Sequence, residues 1–473
     1  MAALLAAGLS SQGTSSWIAQ HERELTQGFS NLLAIPNQAG DAANIERNAA
    51  AIEKLYEAQG VATERLTVPG APPVIYGRLD AAAPGAARTV TFYAHYDGQP
   101  VHPQDWKVPP YQPVVRDGRI WARSAGDDKA AVFGFAAALE ALRAEGRRPR
   151  VNLRVFLEGE EEAGSPHLAQ ILATYAAKLK TDAWVLCDGP VHQSGAMQVF
   201  FGARGVTDLE LTVYGPGRAL HDGHYGNWAP NPIAMLTRLL ASMRDGDARI
   251  LIPGFYADVR PLSAADRAAI AAMPNYDRTL AQALALGHTE GGHKSLAEQI
   301  AQPALNIRGI SGGFVGAGAA NVISTEASAS LDFRLVPDQT PEHVRAEVEA
   351  FVRQQGYTII GQPPDAAMRR GHPKLILMRW GPGYPAARVP TDAPFGREVA
   401  DLVEKAAGAK IVRLPIMGGS IPMYLFQGSN RTPVIGVPIA NYDDNQHAAN
   451  ENLRLDYLWK GIGIYAELFA GLH

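Results

Sequence analysis

Between residues 88 and 190, short apolar runs alternate with helix-forming stretches, and the runs stop at acidic or imidazole side chains. Residues 89–94 (TVTFYA) are β-rich and end at His95-Tyr96-Asp97-Gly98. Residues 129–142 (KAAVFGFAAALEAL) predict a helix, with Asp127 or Asp128 at its N-cap. Residues 151–157 (VNLRVFL) read as a buried strand ending in the acidic run 158–162, and a helix is expected over 166–178. Residues 183–187 (AWVLC) predict a third strand, ending at Asp188-Gly189. This alternation predicts an α/β fold with an open, mostly parallel sheet flanked by helices. Sites in such sheets form outside the carboxyl ends of the strands, where the polar clusters fall.

The pattern changes near Gly205. Residues 206–214 alternate like a half-exposed strand, helices are expected over 232–243 and 341–354, and strands over 304–309, 327–335 and 375–380. A helix over 395–407, the loop Met417-Gly418-Gly419-Ser420, a strand over 433–437, a polar loop over 441–452 and a terminal helix complete the chain. The expected organisation is a catalytic domain in two parts, residues 1–204 and 385–473. A smaller α+β lid or dimerisation domain of antiparallel type, residues 205–384, interrupts it.

Composition narrows the function. The 473 residues carry 43 Lys+Arg against 47 Asp+Glu, with no basic stripe, which argues against a nucleic-acid partner. A single cysteine, Cys187, excludes an intramolecular disulfide framework and a cysteine metal cluster, and is read as a small core residue. No apolar run approaches the roughly 20 residues that span a bilayer, so no membrane is expected. Residues 1–10 (MAALLAAGLS) faintly resemble the apolar part of a signal peptide but lack a basic start, and a helix turn is the simpler reading. The cytoplasm is therefore expected, with the periplasm as the alternative.

Taken singly, the polar clusters have plain explanations: a turn at His95, a helix cap at Asp127, a solvated acidic loop at 158–162, a turn at Asp188, a loop histidine at His447. Together they say more. His95, Asp127, Glu162, Asp188 and His447 are two imidazoles and three carboxylates, the first four about one strand–helix unit apart. Parallel strands bring such tips to one edge. The set suits zinc or manganese, and the lack of thiolates suits a catalytic site. Two metals with one bridging carboxylate, and an imidazole and a carboxylate each, use all five.

These residues resemble the dinuclear zinc metallopeptidases that include carnosine dipeptidase, bacterial di- and tripeptidases, glutamate carboxypeptidase and aminoacylase, nearest the dipeptidase branch. His95-Tyr96-Asp97 is similar to the family's His-x-Asp motif. Ser124-Ala125-Gly126-Asp127-Asp128-Lys129 resembles the stretch with the bridging aspartate, although Ser124 stands where glycine is usual. The run from Glu158 to Ser165 resembles the paired-glutamate motif, and Asp188 and His447 match the remaining ligands. The resemblance extends from about residue 20 to the C-terminus. It implies that Asp127 bridges two divalent ions, zinc or else manganese or cobalt, with His95 and Asp188 on one and Glu162 and His447 on the other. It makes Glu161 the general base and then acid, with Asp97 orienting His95.

The same resemblance bears on substrate. Leu220-His221-Asp222-Gly223 is similar to a segment whose histidine serves a neighbouring subunit, which implies a homodimer. Asp222 replaces a common serine there. Asn321 and Arg334 match positions that hold the reaction intermediate and the substrate carboxylate, a role suited to a guanidinium fork. The loop through Gly419 and Ser420 resembles one that meets the same carboxylate. The expected activity is hydrolysis of an amide beside a free carboxylate, in a dipeptide or small peptide. Asp188 leans that way, since acylase and glutamate-releasing relatives tend to carry glutamate. Hydrolysis of an N-acyl or N-carbamoyl amino acid is the alternative, and a peptide-binding protein without catalysis is remote because Glu161 is present. A non-metal hydrolase would place a Gly-x-Ser-x-Gly elbow after a strand, and none is expected here.

Overall fold

The computed structural model describes residues 2–81, 87–428 and 430–473, with side chains from residue 13 onward. Its larger sheet has eight strands. In spatial order they are Ala62–Leu66, Val74–Leu79, Asn152–Glu158, Thr89–His95, Ala183–Leu186, Val434–Gly436, Gln198–Phe200 and Val412–Leu414. The four from Asn152–Glu158 to Val434–Gly436 run parallel, as does the pair at the Val412–Leu414 edge. The expected open α/β sheet is present, but it is mixed: the Ala62–Leu66 and Val74–Leu79 edge is antiparallel, and Gly436 meets Phe200 antiparallel. Nearly every residue of the central strands is buried, which is why they read as continuous apolar runs.

Helix Lys129–Ala144 is buried on almost every face, and it packs against both the sheet and helix Leu455–Gly471. Gly134 permits this approach, because a Cβ there would lie 3.0 Å from the Tyr465 ring. Phe92, Phe135, Tyr465 and Phe469 interlock edge-on at 4.7–5.8 Å between the layers. The N-terminal stretch is a full helix, Ala2–Leu33, rather than a single turn, and Phe29 meets Phe133 at 5.3 Å. The side chains of residues 1–10, on which the leader-like reading rests, lie outside the described residues. No helix among the described residues is long and apolar enough to cross a membrane. The helix expected over 166–178 is shorter, Leu168–Thr174, and gives way to turns in which the Ala176 and Lys178 N–H groups reach back only three residues, to the Ala173 and Tyr175 carbonyls.

A separate, smaller five-stranded sheet has the order Ala304–Ser311, Glu326–Leu335, Gly205–Tyr214, Leu375–Trp380, Thr358–Ile360. It is antiparallel except for its last pair. Alternate residues of Gly205–Tyr214 are buried. Val213, Leu236, Leu331 and Val348 belong to the one core formed with helices Pro232–Met243 and Pro341–Gln354. Both helices begin with proline behind a capping side chain, Asn231 and Thr340 respectively.

Candidate metal centre

His95 is the last residue of its strand and pairs in register with Glu158, so the segments that follow both leave from one edge. The His95 ring is fully buried, with Nε2 2.9 Å from Asp127 Oδ1 and Nδ1 3.3 Å from Asp97 Oδ1. Asp97 also accepts the Glu161 and Glu162 N–H groups, each at 3.0 Å. One buried carboxylate therefore sets the imidazole and the acidic turn Glu161–Ala163 against each other.

Asp127 lies two residues before helix Lys129–Ala144. Asp128 occupies the N-cap position, but its side chain makes no capping hydrogen bond; it accepts the His95 N–H instead, at 3.3 Å. Asp127 faces two ways. Its Oδ1 meets His95, while Oδ2 meets His447 Nε2 at 3.0 Å and accepts from Gln446 Nε2 at 2.7 Å. His447 Nε2 is also 3.2 Å from Glu162 Oε2, which accepts from Gln99 Nε2 at 2.8 Å. The donor atoms form two groups, His95–Asp127–Asp188 and Asp127–Glu162–His447, each with its atoms within 4.8 Å of one another and both sharing Asp127.

The electrostatics match a cation site. Burial, then the charge on Asp127, push the Asp188 carboxyl up to about 7. Burial raises Glu161 well above the carboxylate range; His95 offsets part of this, and Asp188, Asp127 and Glu162 add to it. Hydrogen bonds to Asp127 and Glu162 push His447 up to about 10. Burial opposes ionisation of Asp127, yet hydrogen bonds from His447, His95 and Gln446 hold its carboxyl far below the usual range. Four carboxylates gathered at one buried edge repel one another, and positive charge between them relieves that repulsion. The hard oxygen and borderline nitrogen donors, with no thiolate, fit divalent zinc, manganese or cobalt.

Asp127, Glu161, Asp188 and His447 border a cavity of about 1120 Å³. Arg334 and the Gly418-Gly419-Ser420 loop line it as well. Arg334 donates from Nε to Asp332 Oδ2 at 2.9 Å and from Nη1 to Ser420 Oγ at 2.8 Å. His221 and Asn321 are not brought to this cavity. They are exposed neighbours beside the short antiparallel ladder of Leu220–His221 and Val322–Ile323, where the Asn321 carbonyl accepts the Asp222 N–H and His221 Nδ1 accepts the Gly223 N–H.

Several residues of this region were not legible as functional. Gln99, Gln446 and Glu451 lie in polar stretches whose letters do not separate buried acceptors from solvated ones. Arg204 donates to the Gly418 carbonyl at 3.1 Å, and burial together with the charge of Arg334 lowers its guanidinium to about 10. Ser124 takes φ +62°, the left-handed region that favours glycine, which accounts for the residue usual at that place in the family. Its hydroxyl is held by Asn37 Nδ2 at 2.9 Å. One expectation needs correction: Gly309-Ile310-Ser311-Gly312-Gly313 does spell Gly-x-Ser-x-Gly. It ends the exposed edge strand Ala304–Ser311 of the antiparallel sheet, with no strand-to-helix elbow, so it is not a nucleophile turn.

The model of peptidase family M20/M25/M40 matches residues 91–470. The chain belongs to this family. The peptidase is 27% identical over 405 residues to a Cys-Gly metallodipeptidase of Schizosaccharomyces pombe, covering 83% of this chain and 81% of the relative. It is 28% identical over 418 residues to the Beta-Ala-His dipeptidase of Rattus norvegicus, covering 85% and 80%. Its structure is similar to an M20 family metallo-carboxypeptidase from Sulfolobus solfataricus, with a TM-score of 0.78, 26% identity, and coverage of 95% and 99%. The expected family, fold and peptidase chemistry are borne out.

Proposed function

We propose that this M20 peptidase is a dipeptidase that cleaves an amide beside a free carboxylate at a two-metal centre. The observation that carries the reading is Asp127, whose two oxygens each face a different imidazole and which belongs to both donor groups. His95, Asp127 and Asp188 would hold one ion, and Asp127, Glu162 and His447 the other. When bound, such a pair lowers the pKa of water towards about 7 and polarises the amide carbonyl. Glu161, at the cavity edge, takes a proton from the attacking water on its carboxylate and returns it to the leaving nitrogen. The Asp97 carboxylate, 3.3 Å from His95 Nδ1, favours the proton on that nitrogen and so leaves Nε2 for the centre. Arg334, braced by Asp332 and Ser420, receives the substrate carboxylate, and Gly419 and Ser420 close that end of the cavity.

His221 and Asn321 serve the cavity of a second copy in a homodimer. Their exposure away from their own cavity supports this, as do the bare apolar side chains of Trp228 (80% exposed), Phe314 (82%) and Val315 (91%) in the same lid. The test is hydrolysis by protein reconstituted with zinc, manganese or cobalt against parallel panels of dipeptides and N-acyl amino acids, with Glu161→Gln as control. Dipeptide turnover lost in the control is the expected result. Turnover confined to the acyl panel would replace the substrate class while keeping the machinery.

A further inference from the structure

We propose that Glu451 is a positioning residue for the metal centre, setting Asp127 and His447 in place together. The proposal rests on the metal-centre reading above. The Glu451 carboxylate is fully buried and takes four donors. Oε1 accepts the backbone N–H groups of Gly126 at 2.9 Å and Asp127 at 3.0 Å; Oε2 accepts the Ser124 N–H at 2.8 Å and Arg123 Nη1 at 2.7 Å. Three backbone N–H groups of one short loop thus converge on a single side chain from the far end of the sequence. None of the three could be left unpaired in the interior without a penalty. The loop that presents Asp127 is therefore folded around Glu451.

Glu451 is also four residues from His447 in sequence. Its own carbonyl accepts the Ala122 N–H at 3.1 Å, and the next residue, Asn452, pairs with Trp121 across a short antiparallel ladder. Gly126 lies so close to this segment that a Cβ would fall 2.7 Å from Asp444 Oδ2. The segments carrying Asp127 and His447 accordingly behave as one unit, with Glu451 as the joint. The 3.0 Å approach of His447 to Asp127 depends on that joint. Glutamine at 451 keeps the shape but turns one acceptor into a donor, facing N–H groups that need acceptors.

The test uses the full chain, stripped of metal by chelator dialysis and titrated with zinc against a chromophoric competing chelator. Circular dichroism and thermal unfolding are recorded alongside. Glu451→Gln, with the far-UV spectrum of the parent, is expected to bind zinc 10- to 100-fold more weakly, with turnover recovering as zinc is raised. Glu451→Asp keeps the charge but shortens the reach, and should fall between the two. Lowered thermal stability with zinc affinity within twofold of the parent would overturn the proposal. If Glu451→Gln does not fold, Glu451→Asp decides by the same criterion. Failure of both to fold also overturns it, since the carboxylate is then a folding determinant only. A parent that takes up none of zinc, manganese and cobalt defeats the metal-centre reading and this proposal with it; a parent and a Glu451→Gln chain that bind equally defeat this proposal alone.

Discussion

Asparagine in place of Asp97 keeps the volume of the side chain and removes half of its accepting capacity. In the native arrangement Oδ1 takes the Glu161 N–H at 3.0 Å and lies 3.3 Å from His95 Nδ1, while Oδ2 takes the Glu162 N–H at 3.0 Å. Every one of these neighbours is a donor when His95 presents Nε2 to the centre. A carboxamide satisfies one side and points an NH₂ at the other, so at least one hydrogen bond to a charged acceptor is lost in a site with no exposure. Such a bond contributes about 1.5–3 kcal/mol. At about 1.4 kcal/mol per decade, that is a 10- to 100-fold fall in the population of the correctly set His95 and acidic turn. Zinc affinity by chelator competition and kcat/KM on a dipeptide should both fall by that factor, with the parent far-UV spectrum. Both quantities within threefold of the parent would refute the argument that Asp97 orders the centre.

Glu161→Gln should lose roughly 10²- to 10⁴-fold in kcat while retaining both ions, checked by turnover and by metal content after gel filtration. Arg334→Ala should raise KM for free dipeptides by about 10- to 100-fold, with little change for C-terminally amidated analogues, as expected for a lost charged hydrogen-bond pair. His221→Ala and Glu161→Gln chains, each nearly inactive, should regain part of the parent turnover when mixed and allowed to exchange; no recovery would argue against donation between subunits. Saturating zinc at about 1,000 times its Kd should stabilise the fold by about 4 kcal/mol per site, read as a shift in the denaturant midpoint that EDTA reverses. Gly436→Ala should destabilise by about 3 kcal/mol in the same assay, because a Cβ there would lie 1.9–2.1 Å from three atoms of the Phe200 ring.

Much of the site was readable because its residues stand at strand ends, where a change from apolar to polar letters marks the edge of a parallel sheet. His95, Glu162 and Asp188 are of this kind, while Asp127 was readable from its place just before a helix. The helices Pro232–Met243 and Pro341–Gln354 beside the smaller sheet were equally plain, since proline and a capping side chain mark their starts. Contacts made across the sequence were not readable. Glu451 and Gln446 look like surface residues until residues 122–127, more than three hundred positions earlier, are laid against them. The antiparallel edge of the large sheet was missed for a similar reason. Ala62–Leu66 is only partly buried, so it gives neither a continuous apolar run nor a clean alternation. The Gly-x-Ser-x-Gly at 309–313 shows the converse: matching letters mean nothing without the strand–turn–helix that gives them a nucleophile.

Strand Val434–Gly436 occupies an interior place in the large sheet, between Ala183–Leu186 and Gln198–Phe200. During synthesis the nascent chain cannot close that sheet until this late segment leaves the ribosome, and the loop with His447 and Glu451 follows it. The site is thus assembled only after residues 434–451 have been made. Pairings of such long sequence separation slow folding, and they leave the flanking strand edges open in the interval. A nascent chain that stops short of residue 434 therefore holds an open sheet edge and lacks His447, so peptide cleavage waits on the same pairing that closes the sheet.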